Sequence, residues 1–183
     1  MFLRFALLFL VSWSLAAEAR QEQVVGDFHV THYTDLQNSA EGFEAFTKHT
    51  DKKVFFGLSC SIQSPFPLMQ VIVFDNQVIS ETPKYLKVNL KVDGIKLESK
   101  VNGVLSVINN AEEFSNKIRF EMKAKPGSSL QDLQSDYMQL LKQLSNAKRL
   151  IVELQHRSLE NAEYTFSLEG FKSIVNTHAS LCR

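Results

Sequence analysis

The chain has 183 residues, and its 20 Lys and Arg balance its 20 Asp and Glu, for a formal net charge of zero. That balance supplies no long-range field toward nucleic acid or an acidic membrane, so nucleic acid is not an expected partner. Apolar residues make up 44%, with Phe at 14 copies, enough for one domain with a packed core rich in aromatic area.

In chain order, Met1 to Arg4 is a short basic start, and Phe5 to Ala17 is an apolar run broken only by Ser12 and Ser14. Ala17-Glu18-Ala19 has the small-x-small form of a leader-peptidase site. The pattern predicts a signal peptide over 1–19 and a single globular domain over 20–183, periplasmic or secreted. The apolar run is too short to span a bilayer and no stop-transfer run follows, so the mature chain is expected to lack a transmembrane segment. No lipobox cysteine follows the leader, and no Asn-x-Ser/Thr acceptor follows it, which favours a bacterial periplasm over a eukaryotic secretory route. Cys60 and Cys182 are the two cysteines, and in an exported protein an even pair reads as a disulfide. The alternative is a reactive thiol at Cys60. The enclosed loop is long, so chain entropy sets an upper contribution of about 4–5 kcal/mol.

Gln21 to Val25 reads as a loose arm. Asp27 to Tyr33 alternates, with Phe28, Val30 and His32 on one face. Ser39 to His49 suits a short helix, since Ala40, Phe43 and Phe46 recur near helical spacing. Val54 to Ser61 is a strand with Val54, Phe56, Leu58 and Cys60 on one face. Pro65 to Pro67 breaks the chain, and Leu68 to Phe74 is apolar enough for a central strand. Leu86, Val88, Leu90 and Val92 alternate with polar residues up to Asp93-Gly94, a preferred two-residue hairpin turn. That turn pairs Val92 with Ile95, Leu90 with Leu97, Val88 with Ser99 and Leu86 with Val101. A second hairpin is expected near Asn102-Gly103, leading into a strand over Val104 to Ile108. Lys117 to Ala124 alternates again, with Ile118, Phe120, Met122 and Ala124 inward.

After Pro126-Gly127, Ser128 or Ser129 caps a long helix, Ser129 with Asp132 resembling a capping box, and Leu130, Leu133, Tyr137, Leu140, Leu141, Leu144 and the Lys148 stem trace one stripe of it. Arg149 to Gln155 and Tyr164 to Leu168 are strands. Gly170 turns the chain into a terminal helix carrying Phe171, Ile174, Val175, His178 and Cys182 on one side. Many antiparallel strands, one long late helix and a C-terminal helix argue for an α+β domain on a twisted β-sheet or sandwich.

Chemistry-bearing motifs are few. The chain lacks a Gly-rich phosphate loop, a His-Glu-x-x-His and a Gly-x-Ser-x-Gly. His29 and His32 fall on opposite faces of a strand, so they do not chelate one ion, and no metal or cofactor is expected. Glu112-Glu113 and Glu160 with Glu163 read as solvated turn charges, and His178 as a core or rim histidine. In the hairpin register, Lys91 faces Lys96 and Lys87 faces Lys100, with Asn89 opposite Glu98 and Lys84 nearby. Facing like charges cost stability. The stripe is therefore a candidate face for an anionic glycan, a lipid head group or an acidic envelope protein, or a device that keeps an exposed sheet from aggregating.

From Leu141 to Arg183 the chain runs helix, strand, Phe166-Ser-Leu-Glu-Gly-Phe171, helix and Cys182. That close resembles the ending of exported bacterial proteins of the invasion-associated locus B and type VI secretion VasI-like kind. The resemblance implies a periplasmic, β-rich and non-enzymatic protein. The expected function is thus a binding or accessory protein of the bacterial envelope. The rival is a small envelope hydrolase or an inhibitor of one, with Asp75 to Pro83 and Gln155 to Glu163 as candidate loops. Mass spectrometry of protein exported by its native host is expected to find Arg20 at the N-terminus, and a full-length cytosolic species would overturn the leader assignment.

Overall fold

Alternation of apolar and polar side chains becomes strand almost everywhere it occurs. The computed structural model describes residues 19–35, 40–74, 84–98, 101–110, 113–156 and 159–182. Strands β1 (Ala19–Val25), β2 (Phe28–Asp35), β3 (Ala40–Lys48), β4 (Val54–Ser61) and β5 (Leu68–Val73) run as an antiparallel meander. There follow β6 (Lys84–Val92), the short β7 (Ile95–Lys96), β8 (Val101–Asn110) and β9 (Glu113–Met122), then helix α1 (Leu130–Ser145), β10 (Arg149–His156), β11 (Leu159–Ser167) and helix α2 (Phe171–Thr177). All the described strands lie in one sheet of order β1-β2-β3-β4-β5-β9-β8-β6-β10-β11, with β7 on β6. The fold is β-rich α+β, a single curled antiparallel sheet with two helices.

The sheet curls far enough for β11 to touch β3 and β4. Its inner face carries the core. The Phe56 ring lies 5.8 Å from Phe166 and 6.2 Å from Phe171, and Phe171 lies 5.7 Å from Phe28. Four strands or helices thus meet through fully buried aromatic rings, each worth a large apolar area. At one end the β1–β2 turn packs directly on the β11–α2 turn. Gly26 and Gly170 both have positive φ, and a Cβ on either would strike the other turn's backbone. The Asp27 N–H donates to the Glu169 carbonyl at 3.0 Å across this contact. The Cys60–Cys182 disulfide, with its Cα atoms 5.1 Å apart, ties the chain after α2 to β4 and is present as expected.

Several sequence expectations change. Residues 40–48 are strand, not helix, because β2 and β4 pair with both edges of β3 and bury Phe43, Ala45 and Thr47 on one face. The expected loose arm is edge strand β1, recruited by β2. Asn102-Gly103 lies inside β8 and makes no hairpin. Gly103 is there because a Cβ would come within 2.8 Å of Val88 and Ile118 methyl groups. Ala124 lies beyond β9, and Leu130 at the start of α1 is exposed. Lys148 lies past the helix, and much of 155–163 is strand. The 1–18 segment and the 75–83 loop lie outside the described residues.

The Asp93-Gly94 hairpin holds its expected register only near the turn, with Val92 opposite Ile95 and Lys91 opposite Lys96. The Leu97 N–H still donates to the Leu90 carbonyl at 2.8 Å. Farther down, Leu86 faces Gly103 in place of Val101, and Lys87 faces Asn102 in place of Lys100. The offset is even, so the inward set is unchanged.

The disulfide gives a direct stability test. Replacing Cys60 and Cys182 together by Ala is expected to lower the unfolding free energy by up to about 4 kcal/mol. Guanidinium melts read this as a lower midpoint, and an unshifted midpoint would show that the crosslink does not hold α2 to the sheet.

Candidate ligand-binding groove

Helix α1 is set by its caps. The Ser129 hydroxyl accepts the Asp132 N–H at 3.1 Å, and the Asp132 carboxylate accepts the Ser129 N–H at 2.8 Å, completing the expected capping box. That backbone hydrogen bond from Ser129 holds the Asp132 carboxyl below its ordinary pKa. Along the helix, the Tyr137 hydroxyl accepts the Met122 N–H at 3.3 Å, and the Tyr137 ring stacks on Phe66 at 5.1 Å. Leu140, Leu141 and Leu144 are buried against the core. Past the helix end, the Asp93 carboxylate accepts the Lys148 and Arg149 N–H groups at 2.9–3.2 Å. Asp93 itself has φ 48°, the left-handed value its turn requires. The tip of the β6–β7 hairpin is therefore fastened to the chain that follows α1.

Between these two fastenings a groove of about 430 Å³ remains open. Leu97, Val101, Met122 and Leu140 supply its apolar lining. Lys96, Glu98 and Asp136 add charge at its border, and Gln139 and Gln143 add amides from α1. Ile95, 72% exposed, stands at the hairpin side. An apolar base with a few polar groups around it is the general form of a binding site. No sequence motif marked it. Its residues come from three places in the chain, and only the stripe position of Leu140 and the inward positions of Leu97, Val101 and Met122 were legible.

The lysines of the hairpin do not form one plain cationic stripe. Lys91 pairs with Glu153 and lies 3.5 Å from Glu163, because β10 and β11 bring acidic side chains beside β6. The Asn89 amide donates to Glu153 at 3.3 Å, replacing the expected Glu98 neighbour. The hydrogen bond with Lys91 holds the Glu153 carboxyl below its ordinary pKa, and the same bond raises that of Lys91. Lys87 is exposed, and Lys96 borders the groove. Lys100 and the Lys84 side chain lie outside the described residues.

A second cluster escaped the sequence. β2 puts His29 and His32 on opposite faces as expected, but His32 turns inward and its ring lies 4.6 Å from that of His178. Phe43 lies 4.6 Å from the His178 ring on another side. The Gln23 amide lies 3.1 Å from His32 Nε2. Burial first, and the neighbouring His32 second, push the His178 pKa down. Among the described residues, no three His, Cys, Asp or Glu side chains gather as a metal site, and no helix is long and apolar enough to cross a membrane.

Comparisons with protein-family models, curated proteins and solved structures find no match to this chain.

The His178 environment sets a pH dependence. Its folded pKa is lower than the usual 6.5, so the unfolded chain binds the proton more readily. Stability linked to neutral His178 is complete above that usual value and falls as pH drops from there toward the folded value. His178→Asn is expected to remove this loss when urea midpoints are compared from pH 7.5 to pH 5. Parallel pH profiles for the two proteins would overturn the assignment.

Proposed function

We propose that this chain is an exported, non-enzymatic binding or accessory protein of the bacterial envelope, periplasmic or secreted, and that it holds its ligand in the groove between α1 and the β7–β8 segment. The observation that carries the reading is the groove itself: an open apolar base bordered by amides and charges of both signs. The Cys60–Cys182 bond supports an oxidising compartment, as the basic, apolar and small-residue pattern of 1–19 does. The likeness of the 141–183 segment to exported bacterial proteins agrees with that placement. A hydrolase would need titrating groups converging on a reacting atom, whereas the base of this groove is formed by Leu97, Val101, Met122 and Leu140.

Titration with the neutral fluorophore N-phenyl-1-naphthylamine is expected to give saturable fluorescence enhancement. Gln143→Trp, at an exposed helical position, should fill the groove and weaken binding at least about tenfold, or 1.4 kcal/mol. Gln131→Trp, exposed on the same helix but away from the groove, should leave it unchanged. Absence of saturable binding, or equal binding by Gln143→Trp, would reject the groove as the ligand site.

A further inference from the structure

We infer that the occupant of this groove is an extended polypeptide segment of a partner protein, which adds as a strand to the outer edge of β7. The inference rests on the groove being the ligand site and goes on to name the ligand's class. Three independent observations lead to it.

The first is a missing strand. β9 runs beside β8 only up to Met122, which pairs with Val101. Beyond that point, Pro126-Gly127 and the Ser129 cap lead the chain away into α1. Sequence alternation would have carried β9 on to Ala124. Among the described residues, the edge of β7 away from β6 therefore has no strand neighbour. The groove lies where a continued β9 would have run.

The second is the direction of the free backbone groups. Leu97 donates its N–H to Leu90, so residues 90 and 97 are a hydrogen-bonded pair. In an antiparallel ladder such pairs alternate with non-hydrogen-bonded ones. Lys91 and Lys96 are the next pair, so the N–H and C=O of Lys96 point away from β6, into the slot. A main chain laid alongside satisfies both at once. A hydrocarbon tail offers neither a donor nor an acceptor.

The third is the opposite wall. Gln139 and Gln143 stand one turn apart on the exposed side of α1, and each carries both an amide donor and an amide acceptor. Beneath the slot, Leu97, Val101 and Met122 form the apolar base that receives inward side chains of a strand, one residue in two.

The probe is a capped heptapeptide of alternating threonine and valine with a lysine at each end. Added to the whole mature protein, it is expected to bind saturably, to slow hydrogen exchange at the Lys96 amide, and to displace N-phenyl-1-naphthylamine. Lys96→Pro removes the lysine side chain together with an N–H that β6 does not use, and edge strands tolerate Pro there. It should weaken the peptide at least tenfold more than Lys96→Ala does, because both variants remove the same side chain and only Lys96→Pro removes the N–H. If Lys96→Pro fails to fold, the exchange measurement on the wild type decides alone. Peptide binding without protection of Lys96, or equal binding by Lys96→Pro and Lys96→Ala, would overturn strand addition. Fluorophore binding blocked by Gln143→Trp with no peptide binding would overturn this inference and leave the groove as the ligand site. Loss of both would end both readings.

Discussion

The contact between the Gly26 and Gly170 turns decides the shape of this molecule. A meander of antiparallel strands twists because its residues are L-amino acids, but twist alone does not bring its two ends together. Here the backbone of the β1–β2 turn lies against that of the β11–α2 turn, too closely for a Cβ on either glycine, with Asp27 bonded to Glu169 across it. Once that contact forms, the inner face is a concavity and not a plane. Phe28, Phe56, Phe166 and Phe171 then meet in its middle, although they come from opposite ends of the chain. The disulfide acts on the same junction, since it ties the residues after α2 to β4 next to the strands that curl.

Closure at one end leaves a gap elsewhere. A curled sheet of this width needs a lid for the rest of its concave face, and α1 with α2 provides it through Leu140, Leu141, Leu144, Phe171 and Ile174. The attachments of α1 lie at its flanks: Tyr137 on Met122 and Phe66, and the segment after the helix on Asp93. Between them the helix face carries Asp136, Gln139 and Gln143, side chains that do not seal an apolar surface. The groove is the part of the lid that the sequence leaves polar.

What could be read beforehand follows from the range of the forces involved. Period-two alternation is local, and it located most strands and their inward faces, including β4 from end to end. Caps are local too, and Ser129 with Asp132 fixed the start of α1. The disulfide followed from cysteine count and the expected compartment. The failures needed partners distant in sequence. Ala40 to Lys48 has apolar residues that satisfy a helical and a strand spacing about equally, and only β2 and β4 on its two sides decide the matter. The Asn102-Gly103 pair is a turn signal by composition, but at Gly103 a close approach to Val88 and Ile118 uses the same lack of a side chain for a different purpose. His32 and His178 lie far apart in sequence, and nothing local announces that their rings touch. The balancing of Lys91 by Glu153 and Glu163 likewise depends on β10 inserting between β6 and β11.

The groove finally depends on parity. Between β7 and β8 the partner of β6 shifts by two residues, from the register that pairs Lys91 with Lys96 to the one that pairs Lys87 with Asn102. The pairing of β6 passes from β7 to β8 across this offset, and the slot lies beside β7, past the point where β9 stops pairing with β8 at Met122. Because side chains alternate with period two, the shift leaves Leu97 and Val101 both facing inward, where they form the apolar base together with Met122. A shift of one would have opened a similar gap but turned the residues beyond it over, placing polar side chains of β8 beneath the slot and Val101 and Leu105 in solvent. An even shift is the one way for this hairpin to be interrupted and still keep an apolar surface continuous across the interruption. That continuity makes the space between α1 and β7 a place where an apolar side chain of another molecule gains by leaving water.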